Sequence, residues 1–226
     1  MPEEVWVFDV EGTLTTGETW RGVGRWLERN GRRGAYRRFF LAHLPGALLA
    51  KGGLIDKRRY QNRWMRDLAG LFAGASATEV EAMAAWVVEH ELWPGRREDV
   101  LAELRAGVDR GVRIVLASGT FQPVLEAFAR RLAPEVEALG TPLVCVDGVC
   151  PKNPAGAVNV AALKARRVRD HLGGNAPDRA YGDTASDLPL LELAREAVAV
   201  YPDRTLRAEA LRRGWRIFDG ARAFVG

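Results

Sequence analysis

Cysteine is nearly absent from this chain. There are two in 226 residues, Cys145 and Cys150, five positions apart. No second Cys/His pair lies near them, which speaks against a four-ligand zinc site. They read as two incidental reduced thiols rather than metal ligands or a redox couple. Lysine is scarce too, four against 29 arginines, a skew that looks like codon bias as much as design. No apolar run approaches the roughly 20 residues needed to cross a bilayer. Met1-Pro2-Glu3-Glu4 leads straight into an apolar run with no basic n-region or cleavage-site pattern. A secretory leader is therefore not expected and a cytoplasmic location is. Internal repeats and low-complexity tracts are missing as well.

Acidic residues are missing from one stretch in particular. Between Trp20 and Arg66 stand 13 basic residues and only Glu28 and Asp56, a net +11 that leaves −7 on the rest of the chain. A basic segment on an acidic body suits an anionic ligand, a membrane surface or nucleic acid. A solvated helical face in an arginine-rich protein accounts for it equally well. What is present in quantity is apolar: 47% hydrophobic against 27% charged. That is enough for one substantial domain, or a core with a smaller inserted one.

Two textures alternate. Residues 5–10, 113–117, 142–146, about 179–181 and 197–201 are short apolar strand candidates, and Trp215–Phe218 adds an edge strand. Helix-period segments follow most of them, the pattern of a parallel sheet covered on both faces. After Ser118-Gly119-Thr120, for example, Phe121, Val124, Leu125, Phe128, Ala129 and Leu132 share one helical face. Residues 16–92 differ. They hold no convincing strand, contain four of the seven tryptophans, and end in a helix with a capping box at Ser76–Glu79. The expectation is a three-layer α/β core of residues 1–15 and 93–226, Rossmann-like with a mainly parallel sheet. An all-helical cap, 16–92, is inserted over its active end. The cap tryptophans and Met83 read as core. The stretch Phe39–Leu49 follows Arg32, Arg33, Arg37 and Arg38. It suits either a membrane interface or two short helices broken at Pro45.

Four motifs carry the chemistry. Asp9 and Glu11 end the first strand with the same side-chain parity, where open α/β sheets place their reacting groups. Such a pair can bind Mg²⁺ or divide into nucleophile and acid/base, although a strand ending in a polar turn has the same sequence. Ser118-Gly119 brings a hydroxyl and flexible backbone N–H groups to a helix start, favourable for phosphate, or simply caps that helix. Lys164 lies on the helical segment Ala161–Leu172, where a lone lysine is ordinarily solvated surface. Gly182-Asp183 and Asp187 offer hard oxygen ligands at a strand end, or an Asp turn followed by a helix-terminal Asp.

In this order, over nearly the whole chain, the four resemble the haloacid dehalogenase (HAD) phosphohydrolase superfamily and its phosphoserine-phosphatase-like branch. The tail Ala199–Leu206 followed by Gly214–Ile217 is typical of that branch as well. The resemblance implies a Mg²⁺-dependent phosphomonoester hydrolase. Asp9 would be the nucleophile forming an aspartyl-phosphate, and Glu11 the acid/base, with its backbone carbonyl on the metal. Ser118 and Gly119 would hold phosphate oxygens, and Lys164 would offset charge. Asp183 would complete the metal site, with Asp187 ligating through water or orienting Lys164. Lys152 is the fallback for the lysine, because Lys164 lies slightly closer to Asp183 than the branch's spacing.

Glu11 departs from the branch, which has Asp there. Asp-x-Glu-Gly-Thr looks like the enolase-phosphatase branch of the same superfamily, so an active enzyme is still expected. Glu18 and Arg63 fall roughly where phosphoserine phosphatases place groups for the substrate amine and carboxylate, yet each also reads as surface charge. The expected partner is a small phosphorylated substrate, with no obligate nucleic acid. Two alternatives stay open: a lipid or nucleotide phosphate as substrate, and a non-catalytic module whose basic cap binds nucleic acid or, weakly, an anionic membrane.

Overall fold

The run Val5–Phe8 forms β1. Four helices follow it: α1 (Thr19–Arg29), α2 (Arg33–Lys51), α3 (Lys57–Ala69) and α4 (Ala77–Val87), the last running into a π-helical turn at Val88–Leu92. The chain then alternates through α5 (Glu98–Asp109), β2 (Arg113–Phe121), α6 (Gln122–Leu132), β3 (Glu137–Thr141) and α7 (Ala161–His171). It finishes with β4 (Arg179–Gly182), α8 (Leu188–Leu193), β5 (Glu196–Val200), α9 (Arg204–Arg213) and β6 (Arg216–Phe218). This is a computed structural model that describes residues 4–220. The leader reading at Met1-Pro2-Glu3 and the last six residues of the expected core lie outside the described residues.

The strands make one parallel sheet in the order β3-β2-β1-β4-β5-β6. Chain direction across the sheet reverses at β1, with Phe8 level with Leu116 on one side and Tyr181 on the other. The C-terminal ends of β1 and β4 therefore flank the switch point at which such sheets open a crevice. Period-two alternation divides the side chains. Trp6, Phe8, Ile114, Leu116, Tyr181 and Val198 face α5 and α6. Val7, Val115, Ala117, Ala180 and Ala197 face α7, α8 and α9. Both faces are dry, which is why these strands read as continuous apolar runs. The three-layer α/β fold is as the sequence implied.

Between β1 and β2 the described residues contain helices and no strand of the sheet. Val23, Trp26, Leu27, Leu68, Phe72, Val80, Met83 and Val87 from this block join the same apolar cluster as Phe8 and Leu116. Ser76 caps α4 by accepting the Glu79 N–H at 3.1 Å. The two passages between sheet and helical block run side by side, with Thr16 N–H donating to the Gly95 carbonyl and Thr15 Oγ1 to the Leu92 carbonyl.

Three local readings need correction. The third strand is Glu137–Thr141, not 142–146. Its sequence is polar and small, as edge strands often are, and Pro142 ends it, so hydropathy favoured the wrong run. Residues 143–150 instead form a turn bridged at Val146 and Val149. That turn brings Cys145 and Cys150 together as a disulfide, in place of the free thiols expected. Helix α2 also continues through Pro45 rather than breaking there. Pro45 lies on the exposed side, where water can take the carbonyl left without a donor.

Candidate active site

At the switch point the end of β1 delivers Asp9 and the end of β4 delivers Asp183. The short 3-10 turn Ala185–Asp187 adds Asp187. One carboxylate oxygen from each of the three lies within 4.8 Å of the others. Thr13, fully buried, spans two of them, its Oγ1 3.3 Å from Asp9 Oδ2 and 3.4 Å from Asp183 Oδ1. Gly12 has φ +90°, and a Cβ there would overlap the Asp183 carboxylate. Glycine is required twice over, by the turn and by the close approach.

Lys164 projects from the first turn of α7. Its Nζ donates to Asp9 Oδ1 at 2.7 Å and to Asp187 Oδ1 at 2.6 Å. It is 3% exposed, buried with both partners. A lysine so enclosed is tolerated only because it is paired. Asp187 Oδ2 in turn accepts from the Thr184 N–H and hydroxyl, which fixes the turn. Lys152, the fallback, is exposed and outside the site.

Ser118 and Gly119 reach the same cavity, but not from a helix start. β2 runs on to Phe121 and α6 begins at Gln122, so the two residues present the irregular end of a strand, where the pairing with β3 shifts register. Ser118 and Gly119 therefore offer strand-end backbone, not a helix N-terminus, to the cavity. This end is tied down from behind. Thr141 Oγ1 donates to the Gly119 carbonyl at 2.7 Å, and Asn159 Nδ2 donates to the Ser118 carbonyl at 3.2 Å.

Glu11 lines the cavity without joining the carboxylate triad. Its Oε1 accepts the Thr19 N–H, the first of α1, at 2.5 Å. The Thr19 and Thr120 hydroxyls lie 3.0 Å apart beside it. Burial raises the Glu11 pKa, opposed by the hydrogen bonds from Thr19 and Thr120. That leaves a carboxyl able to exchange a proton nearer neutrality than an exposed one.

The triad carries more negative charge than Lys164 balances. Burial raises Asp183 to about 8, helped by the neighbouring Asp9 and Asp187 charges. Burial also raises Asp9 to about 6, against the opposing pull of Lys164. Burial by itself would lower Lys164, but Asp187 and Asp9 prevail and its pKa is raised. The lysine stays charged while the carboxylates repel one another, the electrostatic condition for a hard cation among oxygen donors.

The cavity has a volume of about 570 Å³. Its floor is the polar group just described, and its upper wall comes from the helical block, chiefly Trp20, Tyr60, Asn62, Trp64 and Met65. Glu18 lines it as well, with Arg21 Nε 3.0 Å from its carboxylate. Arg63 does not. Its side chain is exposed on the outer side of α3 and pairs with Asp67 at 3.4 Å, because Asn62 and Trp64 take the inward positions. Asn62 Oδ1 is buried with no hydrogen-bond partner.

Sequence reasoning missed Thr13, Thr19, Thr120, Thr141 and Asn159. Thr13 and Thr120 had a visible signal, their places in Asp9-Val10-Glu11-Gly12-Thr13 and Ser118-Gly119-Thr120. The others meet the site only through long-range packing.

A haloacid dehalogenase-like hydrolase model matches residues 6–192. The chain is 30% identical over 219 residues to phosphoserine phosphatase SerB1 of Mycobacterium tuberculosis, spanning 94% of this chain and 69% of that one. Among solved structures, a protein of unknown function from Bordetella pertussis Tohama I matches with TM-score 0.80 at 23% identity, covering 97% of this chain and 99% of that one. A phospho-aspartyl intermediate analogue of phosphoserine phosphatase matches with TM-score 0.59 at 17% identity, covering 98% and 95%. These structural likenesses carry the fold. Among the described residues no helix is long and apolar enough to cross a membrane. The family match over most of the chain, on a site already assembled from its own carboxylates and lysine, places this chain in the haloacid dehalogenase-like hydrolase family, on its phosphoserine-phosphatase-like branch, as a phosphatase.

Proposed function

We propose that the chain hydrolyses a small phosphate monoester through an aspartyl-phosphate on Asp9, with Mg²⁺ as cofactor. The observation that carries this reading is the Lys164 ammonium bridging Asp9 and Asp187, with Asp183 alongside. An Asp9 oxygen forms a bond to phosphorus as the ester P–O bond breaks, and the Glu11 carboxyl gives its proton to the departing oxygen. The Glu11 carboxylate then takes a proton from water as that water attacks phosphorus, which frees Asp9 and releases phosphate. Ser118 and the Gly119 N–H hold the phosphoryl oxygens, and Lys164 stabilises charge on them.

The donor set fits Mg²⁺, with three carboxylates in excess of one ammonium and oxygen ligands throughout. Asp9 and Asp183 would hold it, together with the Glu11 carbonyl and Asp187. The bound ion would offset the charge that otherwise repels a phosphate dianion from Asp9. The helical block, 16–92, then serves as a cap that excludes water over the cavity. Asp9→Asn tests the reading. It should abolish Mg²⁺-supported hydrolysis of an aryl phosphate while the circular dichroism spectrum is retained, and full activity would refute it.

Phosphoserine is one candidate substrate, with Glu18 facing its amine. A second reading rests on Arg63 lying outside the cavity and on Trp20, Trp64 and Met65 lining it. These favour a leaving group with apolar or aromatic surface, such as a lipid or nucleotide phosphate. A panel of phosphate esters decides between them. A clear kcat/KM preference for phosphoserine favours the first and sets aside the second.

A further inference from the structure

The outer face of α2 takes no part in the site. From Phe39 to Ala50 the sequence has no Asp, Glu, Lys or Arg. Phe39, His43 and Ala50 turn inward and are buried. The opposite face is apolar and open to solvent: Leu41 is 65% exposed and Leu48 63%, with Phe40, Leu44 and Leu49 beside them. Past the helix end, Leu54 at 75% and Ile55 add to the exposed apolar surface. A solvent-facing helical stripe is ordinarily polar, and a run of exposed leucines over three turns marks an interaction surface.

Arg37 and Arg38 stand exposed at the head of this stripe, Arg37 one turn before Leu41 and two before Leu44. Neither has an acidic partner among the described residues. Around the sheet the pattern is different: Arg113 pairs with Glu137, Arg179 with Glu196, and Arg213 with Glu192 and Glu209. No acid occurs anywhere in Arg33–Lys51. The acids nearest the face are already engaged, Glu28 with Arg33 at 3.9 Å and Asp56 with the Arg59 N–H at 2.9 Å. A second copy of this face would thus match its apolar residues better than its arginines. An anionic bilayer surface offers both, acyl chains for the leucines and phosphates for the guanidinium groups.

We propose that the outer face of α2, from Arg37 to Leu49, together with Leu54 and Ile55, docks on an anionic lipid surface. The face is close to the site. The Tyr60 hydroxyl donates to the His43 carbonyl at 2.7 Å, and Trp64 packs edge-on against the His43 ring. Tyr60 and Trp64 also line the cavity. Docking would therefore hold the cavity wall near the headgroups. This inference does not depend on the proposed chemistry, because it is read by binding alone.

Flotation of the full chain with phosphatidylglycerol-rich vesicles, against pure phosphatidylcholine vesicles, tests it. The protein should float with the anionic vesicles at low salt and bind the neutral ones at least about tenfold less. The L41E/L48E variant should stay in solution, and R37Q/R38Q should lose about tenfold or more in partitioning. Both variants should keep wild-type hydrolysis of a soluble aryl phosphate, which shows that fold and active site are intact. Absence of flotation at low salt, or equal flotation of L41E/L48E, would overturn the proposal. So would a dimer in size-exclusion chromatography that L41E/L48E dissociates while no vesicle binding is seen.

Discussion

The Glu11 carboxylate accepts the Thr19 N–H at 2.5 Å, joining the loop after β1 to the first residue of α1. It satisfies one of the donors that every helix leaves open at its N-terminus. The proposed acid/base is thereby fixed in place by the helical block it works beneath. Catalysis and attachment of that block should separate on substitution. Glu11→Gln keeps an oxygen for Thr19 and should retain its melting temperature while activity falls about 10²- to 10⁴-fold. Glu11→Ala should lose both, with about 1 kcal/mol of stability removed as for a lost helix cap. Paired thermal melts and kcat measurements check this.

Lys164 is the second target. Lys164→Met leaves Asp9 and Asp187 facing each other without their shared donor. Removing one member of a buried ion pair costs about 3–5 kcal/mol. The variant should be inactive and much less stable, and millimolar Mg²⁺ should recover part of its stability. Lys152→Met, at an exposed position, should match the wild type in both assays.

The raised Asp183 pKa makes the cation-free protein sensitive to pH in a definite direction. The folded value of about 8 lies above the ordinary 3.8, so between these values the folded state holds a proton that the unfolded chain has released. The contribution of this group to stability therefore falls as pH rises from about 4 to about 8, then levels off. The slope is at most about 1.4 kcal/mol per pH unit for one group. Denaturant melts in EDTA should show a steeper decline between pH 6 and 8 for the wild type than for Asp183→Asn. Mg²⁺ bound at the proposed site would take the place of the proton and should flatten the wild-type profile.

Gly12→Ala tests the close approach at the proposed metal site. The substitution puts a Cβ at φ +90° and into the Asp183 carboxylate. Asp183 must move, so the rise in melting temperature expected of the wild type with Mg²⁺ should shrink or vanish in the variant. An undiminished rise would show that Asp183 is not a ligand.

Much of this site was legible in the sequence because its residues stand at strand ends, where a short apolar run breaks into Asp-x-Glu-Gly-Thr or Gly-Asp. The ordered motifs and the resemblance together led to Asp9, Asp183, Asp187 and Lys164, and the structure brings those four together. Arg63 was misplaced because a helical position fixes the facing of a side chain only to within a residue or so. Here Asn62 and Trp64 take the inward positions and Arg63 turns to Asp67. The third strand was misplaced because edge position and Pro142 outweighed hydropathy. The pairing of Cys145 with Cys150 depends on a turn whose bridge at Val146 and Val149 has no sequence signal stronger than Asp147-Gly148.

The most direct test of the central claim is to trap the phosphorylated enzyme. The protein is mixed with Mg²⁺ and a ³²P-labelled ester, quenched in acid and reduced with borohydride, which converts an aspartyl-phosphate to homoserine. The account predicts label before reduction and homoserine at position 9 after it, with neither in Asp9→Asn. Label on Ser118 or on any residue other than Asp9, in an enzyme that turns the ester over, would contradict it.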